Sequence, residues 1–206
     1  MKTHIKIKLA LPLTFLSFNV FAAGEIHLDH ANTDISDTAS LQNGAKLFMN
    51  YCSGCHAIGF MRYNRIAQDL NLSDSLVAKH LMFAGEKPGE TITTAMPKEG
   101  AGKWFGVTPP DLSLVARSKG TDWIYTYLRG FYEDDSKVFG VNNKVLGNAS
   151  MPDVLWSLKE GKPEAEFDQD VRDITNFLDY VGEPAKLIRT SLGFWVLLFL
   201  GVLLVL

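Results

Sequence analysis

The sequence predicts a mainly α-helical domain with long loops, followed by one C-terminal transmembrane helix. Three observations carry that reading. Apolar residues recur at helical spacing in three stretches of the body. No stretch shows a convincing strand alternation. The last seventeen residues, from Thr190 to Leu206, form an uncharged, almost wholly apolar run. The chain has 206 residues, 47% hydrophobic and 21% charged, with a net charge of −3, which suits one ordinary domain plus accessories. This balance excludes a disordered tail, a collagen-like repeat and a basic nucleic-acid binder. With two cysteines, Cys52 and Cys55, a multi-bridge disulfide scaffold is excluded too.

At the amino terminus, Lys2, Lys6 and Lys8 precede an uncharged run from Leu9 to Ala22, and Val20-Phe21-Ala22 sets small residues before a cut. A charged head, a short apolar stretch and a small-residue cleavage site describe a secretory signal peptide over residues 1–22. An uncleaved anchor is the competing reading, but the run is short for a bilayer. Removing those three lysines leaves 17 basic against 23 acidic residues, a net of −6. An exported protein this acidic is expected to meet basic partners.

The body, residues 23–186, has no internal repeat. Residues 29–40 are polar and turn-rich. In LQNGAKLFMNYC, Leu41, Ala45, Phe48 and Met49 share one helical face. Residues 79–110 read as a long irregular excursion, and such length without structure is expected to wrap something other than a protein core. Thr121 and Asp122 cap a helix running through Arg129, with Trp123, Ile124, Tyr127 and Leu128 on one face and Gly130 at its end. A second loop spans 133–151. Val171, Ile174, Phe177, Leu178 and Val181 then form an apolar stripe closed by Gly182 and Pro184.

Residues 187–206 are expected to anchor the chain. The seventeen residues from Thr190 to Leu206, at 1.5 Å each, reach about 25 Å against a hydrocarbon core of roughly 30 Å, and Lys186 and Arg189 can snorkel to the headgroups. These bases flank the segment on the side of the exported body, which fits the positive-inside tendency poorly. A basic extension after Leu206 would reconcile the two.

The sharpest feature is Cys52-Ser53-Gly54-Cys55-His56. Two thiols three positions apart can each add to a vinyl group on one edge of a haem, and the histidine that follows can face the iron. This spacing is the c-type haem attachment signature, and it makes the body a cytochrome c-type haem domain with one covalent haem c. A thioredoxin-like pair would want a βαβ context, and a zinc site two more ligands at suitable spacing. The remaining histidines, His4, His27, His30 and His80, are scattered. A plain disulfide is the bland alternative in an oxidising compartment.

The second axial ligand decides function, because a thioether closes the iron for electron transfer whereas an open position admits small molecules. Met49 lies on the helix entering the motif, Met61 and Met82 follow closely, and most methionines fill core gaps. Met96-Pro97 and Met151-Pro152 both lie in loops where a proline stiffens the approach. Met151 is preferred over Met96 because it directly precedes the final helix of the body.

Together with CSGCH, the segments MRYNR (61–65), WFGVTPPDLSLVAR (104–117), DWIYTYLRGFY (122–132), NNKV (142–145), MPDVLW (151–156) and FLDYVGEPAKLIR (177–189) resemble bacterial cytochrome c1 over nearly the whole exported chain. The resemblance implies the haem c subunit of a ubiquinol–cytochrome c oxidoreductase, the cytochrome bc1 complex. Such a subunit is no enzyme on its own. It works beside cytochrome b, takes an electron from the Rieske iron–sulfur protein and passes it to a soluble or membrane-tethered cytochrome c. The implied location is the bacterial inner membrane, single-pass, with the haem domain in the periplasm.

By the same resemblance His56 and Met151 ligate iron, and Pro110 accepts a hydrogen bond from His56. Arg117 lies near a haem propionate, a solvated Arg117 being the alternative, and Trp123 stands where some relatives have tyrosine. The acidic run Glu133-Asp134-Asp135 is expected to steer a basic cytochrome c, or else to be a solvated loop. Two rival functions share the site: a free-standing membrane cytochrome c feeding a terminal oxidase, and a haem sensor or peroxidase with an open distal position.

Overall fold

The computed structural model describes residues 26–206, so the leader expected over 1–22 lies outside the described residues. The element order is α1 (Thr38–Tyr51), β1 (Ile58–Arg62), α2 (Tyr63–Asp69), α3 (Asp74–His80), β2 (Thr91–Ile92), α4 (Lys98–Phe105), α5 (Val115–Lys119), α6 (Thr121–Arg129), β3 (Phe131–Glu133), β4 (Val141–Asn143), α7 (Trp156–Gly161), α8 (Glu164–Gly182) and α9 (Lys186–Val205). The mainly helical class holds. Two antiparallel pairs depart from the reading without strands: β1 with β2, and β3 with β4 in the register Phe131↔Asn143, Tyr132↔Asn142, Glu133↔Val141. Strands of two to five residues are too short to print an alternation that a sequence can reveal.

α1 starts where Asp37 accepts a hydrogen bond from the Ser40 amide at 3.0 Å, satisfying one of the free N–H groups of the first turn. Its buried face, with Leu41, Ala45, Phe48 and Met49, packs on α8. Gly44 sets how close the two helices come. A Cβ at Gly44 would stand 2.0 Å from the Asp173 carbonyl oxygen and 2.8 Å from the Phe177 Cβ, so no side chain fits this crossing. Beside it Phe48 and Phe177 meet with ring centroids 5.7 Å apart, and Phe177 and Tyr180 at 6.1 Å. A polar seam runs along the same interface: Ser40 Oγ and Asn43 Nδ2 donate to Asp173 at 2.7 and 2.8 Å.

α5 and α6 pack on the other side of α8. α6 spans the expected residues, but its start is Gly120, with φ +89°, and no side chain caps it. The Asp122 carboxylate reaches outward instead, accepting from the Ala31 amide and facing the His30 ring, both at 2.9 Å. That contact ties the segment before α1 across α6. The excursion over 79–110 also differs from expectation. It contains β2 and α4, and its early part packs against β1 and α2, as in the Asn64 amide to Pro88 carbonyl bond of 2.7 Å.

α9 follows α8 directly. Lys186 is held by Asp179 at 2.7 Å, and Arg189 pairs with Glu183. Beyond them Leu192, Phe194, Trp195, Leu197, Phe199 and their neighbours to Leu206 are exposed. The stretch from Ser191 to Val205 reaches about 22 Å, and no helix among the described residues is long and apolar enough to cross a membrane.

Candidate functional site

The cysteine motif is shaped by the end of α1. Backbone hydrogen bonds continue past Tyr51: the amides of Cys52 and Ser53 both donate to the Phe48 carbonyl at 2.8 and 3.0 Å, and Ser53 Oγ donates to the Met49 carbonyl at 2.7 Å. The chain then closes on itself, with the Cys55 and His56 amides donating to the Cys52 carbonyl at 3.1 and 2.9 Å. This single tight turn brings Cys52, Cys55 and His56 to one wall of a cavity. Both cysteines are free thiols. Burial, then the neighbouring Cys55, pushes the Cys52 thiol up to about 12, and burial raises Cys55 as well, so both stay protonated at neutral pH.

His56 Nδ1 lies 2.8 Å from the Pro110 carbonyl oxygen. A carbonyl can only accept, so Nδ1 carries the proton and Nε2 keeps its lone pair. Burial lowers the imidazole pKa, partly offset by the Pro110 hydrogen bond, which favours the neutral ring a metal needs. The segment that follows the Pro110 carbonyl is itself held in place. The Leu112 amide donates to the Ala57 carbonyl at 2.8 Å, and the Asp111 carboxylate accepts from the Gly59 and Ser113 amides at 2.9 and 2.7 Å.

The cavity has a volume of about 450 Å³, within the range of small-molecule and cofactor sites. Phe105, Val107 and Pro109 line it, together with Trp123, Ile124, Tyr127 and Leu128 of α6 and Ile174 and Leu178 of α8. Trp123 and Tyr127 stack with centroids 4.9 Å apart and planes within 7°. The segment from Leu146 to Pro152 completes the lining and carries Met151. Met49 and Met61 are buried in the core, Met82 packs against it, and Met96 is absent from the lining.

The residues present suit a haem c. Two free thiols and an imidazole with a bare Nε2 share one wall of a largely apolar slot, and a thioether stands elsewhere on the lining. Of the 79–110 excursion, the part from Phe105 to Pro110 contributes to this slot.

The basic residue of the lining is Lys119, not Arg117. Lys119 Nζ sits 5.5 Å from the centroid of the Trp123 ring. Arg117 is exposed and lies along the end of α8, where a Cβ on Gly182 would meet its Cγ at 3.3 Å. Two positions on a five-residue helix turn a side chain by about 200°, and the sequence carries no cue to that rotation. Asp134 also differs from a free steering charge. Its Oδ1 accepts from Ser136 Oγ and the Ser136 amide at 2.6 and 3.1 Å, and its Oδ2 from Asn142 Nδ2 at 3.0 Å. These bonds, the Ser136 hydroxyl first, hold its pKa below the ordinary carboxylate value.

A profile described as the Cytochrome C1 family matches residues 30–206. The chain is 46% identical over 213 residues to cytochrome c1 of Allochromatium vinosum, covering 90% of this chain and 87% of that protein. It is 41% identical over 210 residues to a protein of Nitrosomonas europaea named ammonia monooxygenase gamma subunit, covering 93% of this chain and 89% of the other. Cytochrome c1 of Rhodospirillum rubrum is 28% identical over 213 residues, covering 81% of this chain and 77% of its own.

Proposed function

The chain belongs to the cytochrome c1 family, and from that premise we propose how its residues serve the electron-transfer haem subunit of a cytochrome bc1 complex. Members carry one covalently bound haem c and work as a redox subunit beside cytochrome b. When bound, that group supplies a one-electron iron couple. Cys52 and Cys55 hold it covalently, His56 Nε2 and the Met151 sulfur ligate the iron, and the Pro110 carbonyl fixes the imidazole orientation. Lys119, in place of Arg117, faces a propionate. The stacked Trp123 and Tyr127 exclude water from one side of the pocket. The single observation that carries the assignment is the His56–Pro110 contact at 2.8 Å, which leaves Nε2 as the free nitrogen of a ring set among two thiols and an apolar slot.

Electrons are proposed to arrive from the Rieske iron–sulfur protein and leave to a soluble or membrane-tethered cytochrome c. Exposed apolar residues at the pocket and beside it, Val107, Leu146, Val138 and Phe139, support docking there. The Phe105 and Phe139 rings, 5.4 Å apart, join this patch to the pocket wall. Residues 1–22 act as the export signal, residues 23–186 as the periplasmic haem domain and residues 187–206 as the single-pass anchor in the bacterial inner membrane. The apolar part of α9 alone falls short of a full hydrocarbon core, so the last assignment rests on its exposed apolar surface together with Lys186 and Arg189 snorkelling to the headgroups. The acidic residues Glu133 and Asp135, both exposed, remain available to steer a basic partner. Membership in the family favours neither a free-standing cytochrome nor an open-site haem sensor.

Purification of the tagged full chain from membranes tests this reading. The expected result is a haem-staining band at the mass of the chain under denaturing conditions, with cytochrome b and an iron–sulfur protein in stoichiometric amounts. A chain that purifies alone contradicts membership in such a complex.

A further inference from the structure

The segment that carries Met151 gains little from regular structure. Between β4 and α7 the chain is turns and bends, yet Leu146 to Met151 all line the cavity. What holds this strap is a pair of buried side-chain amides. Asn142 is 7% exposed and Asn143 2%. Asn142 Oδ1 accepts from the Asn143 and Asn148 amides, each at 2.9 Å. Asn143 Oδ1 accepts from the Val145 and Leu146 amides at 2.9 and 3.3 Å. Two side-chain oxygens therefore receive four backbone N–H groups from within the strap and its root.

The amide nitrogens tie that unit to the rest of the fold. Asn143 Nδ2 donates to the Tyr127 carbonyl at 2.8 Å, on the helix that walls the pocket. Asn142 Nδ2 donates to the Asp134 carboxylate at 3.0 Å, and Asp134 is braced by Ser136. Lys137 Nζ donates to Asn148 Oδ1 at 2.6 Å, where the backbone is left-handed at φ +60°. Backbone amides can only donate, and carboxylates and carbonyls only accept, so both side-chain orientations are determined. A buried polar group with every partner in place rigidifies its surroundings, whereas one left unpaired is costly.

Resting on Met151 as an axial ligand, we propose that Asn142 and Asn143, braced by Asp134, are positioning residues that hold the ligand strap against the pocket and keep the distal side closed. They touch neither the iron nor the thioether, and act through the backbone from Leu146 to Met151.

The test uses the full chain in the purified complex and two readouts other than turnover: the far-red sulfur-to-iron charge-transfer band of the oxidised protein, and carbon monoxide binding by the reduced protein. Asn142→Ala should retain covalent haem but weaken the band. It should also raise the carbon monoxide-reactive fraction at least about tenfold, because the three hydrogen bonds of the Asn142 side chain are lost together. Asn142→Asp keeps the acceptor for both backbone amides but faces Asp134 with a second carboxylate, and should impair both readouts. Asp134→Asn combined with Asn142→Asp exchanges donor and acceptor and should restore them. This comparison decides the matter if Asn142→Ala fails to accumulate. An Asn142→Ala protein with an unaltered band and no carbon monoxide binding overturns the proposal, as does a double variant no better than Asn142→Asp. A Met151→Ala protein that keeps the band and excludes carbon monoxide overturns the ligand assignment itself, whatever Asn142 does.

Discussion

The two walls of the pocket are built by different means. On the side of Cys52, Cys55 and His56, the donor residues are contiguous, and the turn that presents them is closed by backbone hydrogen bonds onto the Phe48 and Cys52 carbonyls. On the side of Met151, a loop without regular structure is held by side chains eight and nine residues upstream, and through them by α6 and Asp134. The first wall is local and inherits its rigidity from a helix end. The second is assembled from distant parts, and its order depends on the whole domain being folded. This difference predicts that the cysteine side tolerates changes in the β3–β4 region, whereas the methionine side does not.

The largest effect should come from the local wall. Replacing both Cys52 and Cys55 with alanine should abolish haem staining on a denaturing gel, while either single replacement should leave one thioether and a weaker stain. Full staining of the double variant would break the comparison at its root. Next, Gly44→Val puts side-chain atoms into a gap that closes at 2.0 Å on backbone. Unlike an exposed substitution, it should destabilise the domain by at least about 3 kcal/mol and depress holoprotein yield. Chemical denaturation of whatever folded protein is recovered measures it, and an unchanged midpoint would show that α1 and α8 cross less tightly.

A smaller effect sharpens the account of the polar lining. Removing a cation near an iron disfavours the reduced state, so Lys119→Gln should lower the midpoint potential. At about 1 kcal/mol for a partly solvated charge, the shift is on the order of 40 mV. Arg117→Gln should leave the potential where it was, since that side chain points along α8. The opposite ranking, read by redox titration, would return the propionate role to Arg117.

The local wall was legible in the sequence because its chemistry and its geometry share five residues. The long helices were legible for a related reason. The faces of α1, α6 and α8 repeat at 3.6 residues over two turns or more, as with Leu41, Ala45 and Phe48, or Val171, Ile174 and Leu178. The rest depended on tertiary detail. α5 is too short to fix its rotation from pattern, so the sequence does not reveal that Lys119, and not Arg117, lines the pocket. Asp122 caps helices well in isolation, but here the Ala31 amide offered it a better-placed donor than its own helix did. Asn142 and Asn143 carried a family resemblance in NNKV without a stated role, because what they bind is set by strand pairing and by a carboxylate eight residues away. Polar side chains of this kind become readable once the backbone groups they satisfy are known.

The most direct test of the central claim, that one iron is held between His56 and a sulfur on the distal strap, is the far-red charge-transfer band of the oxidised complex in two leucine variants. The account predicts that Met151→Leu removes the band and Met96→Leu leaves it intact. Survival of the band in Met151→Leu, with its loss in Met96→Leu, would contradict it.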